Sequence, residues 1–463
     1  MKKSCLVMTA NQHASLKDHL FPGDNLEAAA ILICAQAGMK KQKFCVRNVI
    51  LVPHDACALR EKDRISWPGD YLEKGFDITE NTDNSIFLIH SHPGGLFDFS
   101  DCDDNSDQDV IPCIFHGAES KANFHGSAIM TPNGKIKARM YNRNVISREI
   151  DLVYSVGHEV INLSDRQIEK SMAFTESMAN DLSSLTACIV GVSGTGSIVA
   201  EMLSRLGIGK ITLIDFDVVE QKNLNRILNS TVKDAEEESL KTEMFAKSIK
   251  SHHPHTEVTT FSVPVNNYNA IFNISDADVI FSCVDSIEGR HYCDLMCKAF
   301  LCPLIDIGVT IPTSFKDKNI RIADVCGRID YIHPDGPSLS DRKVVTPELL
   351  RREYLEKVAP NELEAQVKEG YIKGLHQEAP SVISINMRAA ADGVNEWLSR
   401  IFLYRHENNR SYSRSIFSLA SMEVDYFSDE DFAITRSPIL GHGLSEPILG
   451  DPNIVEKAEG SKK

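Results

Sequence analysis

Residues 185–217 constrain the fold of this chain more than any other stretch. Leu185-Thr186-Ala187-Cys188-Ile189-Val190 is an apolar run of the length of one buried strand. It stops at Gly191, and Gly194 and Gly196 precede an amphipathic stretch that reaches Arg205. Gly209-Lys210-Ile211-Thr212-Leu213-Ile214 then reads as a second strand, tipped by Asp215 and Asp217. Strand, glycine turn, helix and strand in that order predict a βαβ unit, hence parallel strands with helices packed over them. Glycines let the backbone approach a phosphate closely, and a helix N-terminus favours negative charge. An acidic residue about twenty positions on suits a ribose. Alone, this pattern fits a nicotinamide-dependent dehydrogenase equally well.

A second chemical signal lies upstream. Ser85-Ile86-Phe87-Leu88-Ile89 reads as a buried strand feeding His90-Ser91-His92-Pro93, and Pro93-Gly94-Gly95 ends it. The two histidines alternate with Ser91, so they share one face of the extended segment. Ser100 and Asp103 follow. Two imidazoles and a carboxylate are good ligands for one zinc ion, and three protein ligands leave a position for water. Zinc lowers the pKa of such a water toward ~7, so it can attack a carbonyl at neutral pH. Asp101 and Asp104 read as solvated loop charges, and His116 and His125 as structural.

The His-x-His-Pro, Ser, Asp spacing resembles the JAMM motif of the JAB/MPN metallopeptidases. That family also needs an upstream glutamate, and Glu27 stands where it is expected. The resemblance implies His90, His92 and Asp103 as zinc ligands, Glu27 as general base and Ser100 as an oxyanion partner. Elementary chemistry agrees, because a carboxylate beside a zinc water can take its proton and return it to a leaving amine.

Residues beyond the βαβ unit decide its reading. Asn223-Leu224-Asn225-Arg226, Lys241, and a further strand, Asp278-Val279-Ile280-Phe281-Ser282-Cys283-Val284-Asp285, with Arg290 beyond, resemble the ThiF/MoeB/ubiquitin-activating superfamily over roughly residues 164 to 400. Asp165-Arg166-Gln167 is similar to that family's arginine element. Gly370-Tyr371-Ile372 and Ala379-Pro380-Ser381 are similar to its bacterial members. The resemblance implies adenylation of the C-terminus of a ubiquitin-like protein. Gly191, Gly194 and Gly196 would form the turn, with Asp215, Asp217 and Asn223 at the nucleotide. Arg226, Lys241 and Arg166 would neutralise the triphosphate, Arg166 from the partner subunit of a homodimer. Asp285 would hold magnesium. Carboxylate attack on the α-phosphate brings anions together, so cations must offset the charge. Ser193 departs from the family, which carries a third glycine there.

Two further departures bear on mechanism. Many superfamily members bind structural zinc through Cys-x-x-Cys pairs. Here the first pair becomes Pro337-Ser338-Leu339-Ser340-Asp341, and no cysteine occurs after Cys326, so no zinc is expected in this region. That region also offers no thiol to accept an acyl group. Direct transfer from the adenylate is the leading reading. The alternatives are an oxyester on Ser338, Ser340 or Thr346, or a thioester on Cys283, Cys293, Cys297, Cys302 or Cys326. Those thiols sit in apolar surroundings and are expected to be inert. Thr346 reads more simply as a helix N-cap.

The expected fold class is therefore α/β. A JAB/MPN mixed α/β domain (1–150) is followed by a helical linker carrying Arg166 (151–182). A Rossmann-like, mainly parallel adenylating domain (183–405) comes next, then a C-terminal extension, partly mobile (406–463). The net charge of −16 argues against nucleic-acid partners, which require phosphate neutralisation. No apolar run approaches the ~20 residues that cross a bilayer. The twelve cysteines follow no repeated spacing and suit a reducing cytoplasm. The expectation is a bifunctional enzyme of a bacterial ubiquitin-like pathway, and the resemblance extends to pathways of antiphage defence. Zinc, ATP and magnesium would be its cofactors, with a ubiquitin-like protein ending in glycine and a conjugating enzyme as partners. Sulfur-carrier activation and a silent ubiquitin-like-binding scaffold are the alternatives.

Overall fold

The structure, a computed structural model, describes residues 3–164, 171–316, 319–360 and 382–455. The chain forms two compact units. One comprises Met1–Glu169, Lys298–Leu301 and Ser437–Lys463, and the other Lys170–Cys297 and Cys302–Arg436.

The first unit is built on strands β1 (Ser4–Thr9), β2 (Ala29–Ala37) and β3 (Gln42–Leu51). A small hairpin of β4 (Leu59–Arg60) and β5 (Ile65–Ser66) comes next, followed by β6 (Ser85–Ser91), β7 (His125–Met130), β8 (Ile136–Tyr141) and β9 (Ser147–Glu149). The last strands are β10 (Leu152–Val156) and β11 (Val160–Asn162). Its helices are α1 (Ala10–Leu20), α2 (Asp70–Thr79) and α3 (Asp101–Gly117). Nine strands make one mixed sheet in the order β11-β10-β1-β3-β2-β6-β7-β8-β9. Strand β6 pairs antiparallel with β2 and parallel with β7.

Alternation along β2 explains why the sheet is covered on both faces. Ile31 and Ile33 pack with Ile86, Ile111 and Ile114, while Leu32 and Cys34 pack with Leu6, Leu16 and Phe87. Burying an Ile, Leu or Phe side chain contributes about 1.5–3 kcal/mol. Residues 152–162 correct the expectation of a helical linker. They form β10 and β11 at the sheet edge, and the first helix described after them is α4 (Met178–Leu182).

His125, on β7, is buried, and its Nδ1 accepts the Ile86 N–H at 3.0 Å. Burial, with help from Arg143, pushes its pKa down to about 4. A histidine with a depressed folded pKa adds stability that is complete above its unfolded value and lost as pH falls through the folded one. From about pH 7 to about pH 5 the first unit should lose about 2 kcal/mol to this residue. Urea unfolding of the wild type and His125→Gln at both pH values checks this, and a variant with an equal loss counts against it.

The second unit is the βαβ fold expected. Its elements run β12 (Thr186–Val190), α5 (Gly194–Arg205), β13 (Lys210–Ile214), α6 (Val232–Glu236), α7 (Lys241–His252) and β14 (Glu257–Phe261). They continue α8 (Tyr268–Ile274), β15 (Val279–Ser282), α9 (Ile287–Phe300) and β16 (Leu304–Thr310). Then come β17 (Thr313–Lys316), β18 (Asn319–Ile322), β19 (Cys326–Ile332), α10 (Pro347–Val358), α11 (Ile383–Phe402), β20 (Arg414–Ser418) and β21 (Glu423–Phe427). The sheet order is β14-β13-β12-β15-β16-β19-β20-β21, parallel through β16 and antiparallel beyond. Order reverses between β12 and β15, where doubly wound sheets bind ligands at the carboxyl ends of their strands.

Described residues 406–455 divide between the two units. β20 and β21 complete this sheet, and the described residues from 437 onward pack within the first unit. There Gly441 and Gly443 have φ of +65° and +56°. A Cβ on Gly441 would lie 2.6 Å from the Val46 carbonyl oxygen, and one on Gly443 would overlap that of Gln36.

Candidate functional site

At the end of β6 three ligand atoms converge. His90 Nε2 lies 3.1 Å from His92 Nε2 and 3.0 Å from Asp103 Oδ1, and His92 Nε2 lies 3.4 Å from Asp103 Oδ2. A tetrahedral zinc with bonds near 2.0–2.1 Å spaces its ligands by about 3.3 Å. His92 Nδ1 donates to the Leu96 carbonyl at 2.9 Å, which turns the Nε2 lone pair toward the cluster. One oxygen of Glu27 and one ring nitrogen each of His90 and His92 lie within 4.8 Å of one another.

The electrostatics suit a cation. Burial works against the Asp103 carboxylate, but hydrogen bonds to both imidazoles and to the Ser100 amide hold its pKa far below the usual range. Burial also opposes charge on His92; Asp103, the Leu96 carbonyl and Glu27 outweigh it and raise its pKa. Glu27 is 5% exposed, and burial raises its pKa against the pull of His90 and His92.

Each side chain has a local reason for its place. Ser100 N-caps α3, and its amide and hydroxyl donate to Asp103 Oδ2 at 2.7 and 2.8 Å. This reciprocal cap sets Asp103 one turn into the helix. The Ser100 hydroxyl, expected at an oxyanion, donates to Asp103 in this structure. Asp101 and Asp104 are first-turn helix residues rather than loop charges, where acids favour the dipole, and Asp104 pairs with Arg139. Buried Asp107 takes bonds from Arg139, Tyr141 and Ser127, tying α3 to β7 and β8.

Two positioning groups carried no signal in the motif. Ser91, between the histidines, accepts the Ala28 N–H on Oγ and donates its own N–H to the Ala28 carbonyl, both at 2.9 Å. Its small hydroxyl side chain between two histidines does not by itself announce that role. Arg60 donates from Nε to the Glu27 carbonyl at 2.9 Å.

In the second unit the glycines have steric reasons. Gly191 has φ +88°, and a Cβ there would meet the Cys283 carbonyl at 2.8 Å. A Cβ on Gly196 would overlap the Gly191 oxygen. One on Gly194 would overlap the Asn386 amide of α11 and lie 3.3 Å from Arg226 Cδ. Ser193 has φ −105°, which any residue adopts, so the departure from glycine leaves the turn intact.

Asp215 accepts the Val192 N–H at 2.7 Å and the Asp217 N–H at 2.9 Å. Burial raises its pKa, and Lys241 opposes that. Lys241, buried at the start of α7, reaches Asp217 at 2.7 Å. Asn223 turns its Oδ1 inward to cap the Glu220 amide, and Arg226 donates to the Lys222 carbonyl. Asp285 is exposed beyond β15, and Arg290 holds the preceding Val284 carbonyl at 2.6 Å. The structure thus gathers Gly191, Gly194, Asp215 and Arg226 around the turn, with Lys241 joined through Asp217. Arg166 and residues 361–381, including Gly370-Tyr371-Ile372, lie outside the described residues.

Among the transfer candidates Ser340 is exposed and Cys283 half-buried, and others have local roles. Thr346 Oγ1 caps α10, and Ser338 donates to Asp341. Cys293, Cys297 and Cys302 are buried. Burial pushes the Cys293 thiol up to about 12, and burial with Asp324 pushes Cys326 up to about 11. Such thiols are poor nucleophiles at neutral pH.

With both sites in view, comparison with known families is decisive. Residues 9–141 match prokaryotic homologs of the JAB domain, and residues 164–318 match the ThiF family. The chain is a fusion of a JAB-like domain and a ThiF domain. Ubiquitin-like modifier-activating enzyme 5 of Drosophila willistoni is 33% identical over 162 residues, 32% of this chain and 36% of that one. The adenylyltransferase and sulfurtransferase UBA4 of Kluyveromyces lactis is 33% identical over 111 residues, 24% of each chain. The fusion thus spans about a third or less of these curated relatives' length. Among solved structures, E. coli MccB with ATP is 16% identical with a TM-score of 0.42, covering 57% of this chain and 67% of that one. That likeness is too distant to carry an argument. No described helix is long and apolar enough to cross a membrane.

Proposed function

We propose that the JAB-like and ThiF domains act on one kind of protein terminus, the C-terminal glycine of a ubiquitin-like modifier. The ThiF domain would activate that glycine as an acyl-adenylate. The JAB-like domain would hydrolyse the amide that follows it, in a precursor or in a conjugate. A shared substrate end gives a reason for joining the two in one chain. The observation that carries the peptidase half is the 3.0–3.4 Å spacing of His90, His92 and Asp103 with Glu27 alongside.

Zinc held there would polarise the scissile carbonyl and acidify the attacking water. Glu27 would accept that water's proton and return it to the leaving amine, a task suited to a buried carboxylate of raised pKa. In the ThiF domain the turn at Gly191 and the start of α5 would receive the phosphates, and Asp215 the ribose. Lys241, Arg226 and Arg166 would offset charge as the modifier's carboxylate meets the α-phosphate, with Asp285 holding magnesium. The inert thiols favour release of the acyl group straight to a conjugating partner. Homodimerisation through the Arg166 element and a role in bacterial antiphage defence belong to this reading.

Intact-mass analysis after incubation with ATP, magnesium and the ubiquitin-like protein encoded beside the gene tests it. An AMP adduct on the small protein is expected, and a hydroxylamine-sensitive adduct on the enzyme would replace direct transfer by an acyl-enzyme. Neither species, from folded protein that binds ATP, counts against the reading. The relative named as a sulfurtransferase favours a second reading, activation of a sulfur carrier, for which a thiocarboxylate on the small protein is the mark.

A further inference from the structure

We propose that Arg60 is a positioning residue that clamps the Glu27 backbone and so fixes the base of the JAB-like site. The proposal rests on the zinc-peptidase reading of that site. Glu27 lies two residues before β2, in a segment where Gly23 and Asn25 have φ of +97° and +59°. Ladder hydrogen bonds of β2 do not fix a residue there. Its main chain is held from the β4–β5 hairpin instead. The Glu27 N–H donates to the Glu61 carbonyl at 2.8 Å, and Arg60 Nε donates to the Glu27 carbonyl at 2.9 Å.

Arg60 also reaches Asp24 from Nη1 at 3.0 Å, and Asp24 accepts the Leu26 N–H at 3.0 Å. One guanidinium thus spans both ends of residues 24–27. A planar fork can do this and an ammonium cannot. Arg60 Nη2 is buried and has no hydrogen-bond partner among the described residues. An orphaned buried donor costs about 1–3 kcal/mol, so stability alone does not account for this placement. The hairpin pairs only Leu59 with Ser66 and Arg60 with Ile65, too little to stand alone, so these tethers order hairpin and base together. Arg60 has no contact with His90, His92 or Asp103 among its hydrogen bonds and ion pairs, so its effect passes through Glu27.

The test uses the full zinc-loaded chain and a fluorogenic aminocoumarin amide of a peptide ending in diglycine. Arg60→Met should lower kcat by about tenfold to a hundredfold, the cost of a misplaced group. KM should stay within about twofold, with zinc content unchanged. Hydrogen exchange at the Glu27 amide should quicken while that of the β6 amides stays as in the wild type. Arg60→Lys keeps the charge and the stem but not the fork, and should fall between the two. It also decides the matter if the methionine variant does not fold. Wild-type kcat in Arg60→Met, unchanged Glu27 exchange, or loss of zinc together with kcat would each overturn the clamp. If the wild type holds zinc yet cleaves nothing, the peptidase reading fails, and Glu27 exchange still judges the clamp.

Discussion

Glu27→Gln is expected to lower peptidase kcat by about 10²- to 10⁴-fold, the range for removing a general base. The amide keeps the shape of the side chain and leaves the main-chain bonds to Glu61 and Arg60 in place. Zinc content should therefore stay at the wild-type value, because His90, His92 and Asp103 are untouched. Thermal stability should hold or rise. A buried carboxylate of raised pKa is a charge that the fold disfavours, and a neutral isostere relieves that cost. Lost turnover without lost metal or stability separates a base from a structural residue. Metal analysis, a melting curve and steady-state kinetics on one preparation make the comparison. A variant within about threefold of wild-type kcat sinks the assignment, since removal of uniform binding or a peripheral contact gives effects of that size.

The two halves of this site were not equally legible in the sequence. His90 and His92 alternate on a strand, and Ser100 and Asp103 are three apart at a helix start, so local geometry alone brings each pair together. Glu27 came only from family resemblance. Its nearness depends on β2 pairing with β6 so that Ala29 stands opposite His90, a register that local sequence does not specify. Arg60 was invisible for a related reason. It acts on a main-chain carbonyl, and carbonyls look alike in every residue. Ser100 was ambiguous because a hydroxyl suits an oxyanion or an N-cap equally well, and in the structure it caps α3. In the ThiF domain the parallel order followed from strand–turn–helix spacing. The missed strands β10 and β11 are short, although Leu152-Val153-Tyr154-Ser155-Val156 alternates as a strand does. That residues 437–455 return to the first unit rests on contacts about four hundred residues apart, for which no periodicity speaks.

Lys241→Met is expected to lower the rate of acyl-adenylate formation by about 10²- to 10³-fold, the usual loss for one preorganised charge at a reacting phosphate. The fold should tolerate it. The thioether chain fills the buried path of the lysine, and Asp217, half-exposed, can turn to water when its partner goes. Asp215 cannot, because it is buried at the tip of β13. Burial already raises its pKa, and Lys241 is the leading influence holding it down. Without the ammonium the Asp215 pKa moves further up, so the variant protonates Asp215 at a higher pH than the wild type does. A protonated carboxyl is a weaker acceptor for a ribose hydroxyl, and residual ATP binding should strengthen as pH rises and the group ionises. The wild type, with its lysine in place, should change less over the same interval. ATP titrations of both proteins across that interval, with adenylate formation read by intact mass, separate two ideas. A variant whose ATP affinity is as flat with pH as the wild type uncouples Lys241 from Asp215. A variant that forms adenylate at the wild-type rate removes Lys241 from the phosphate site altogether.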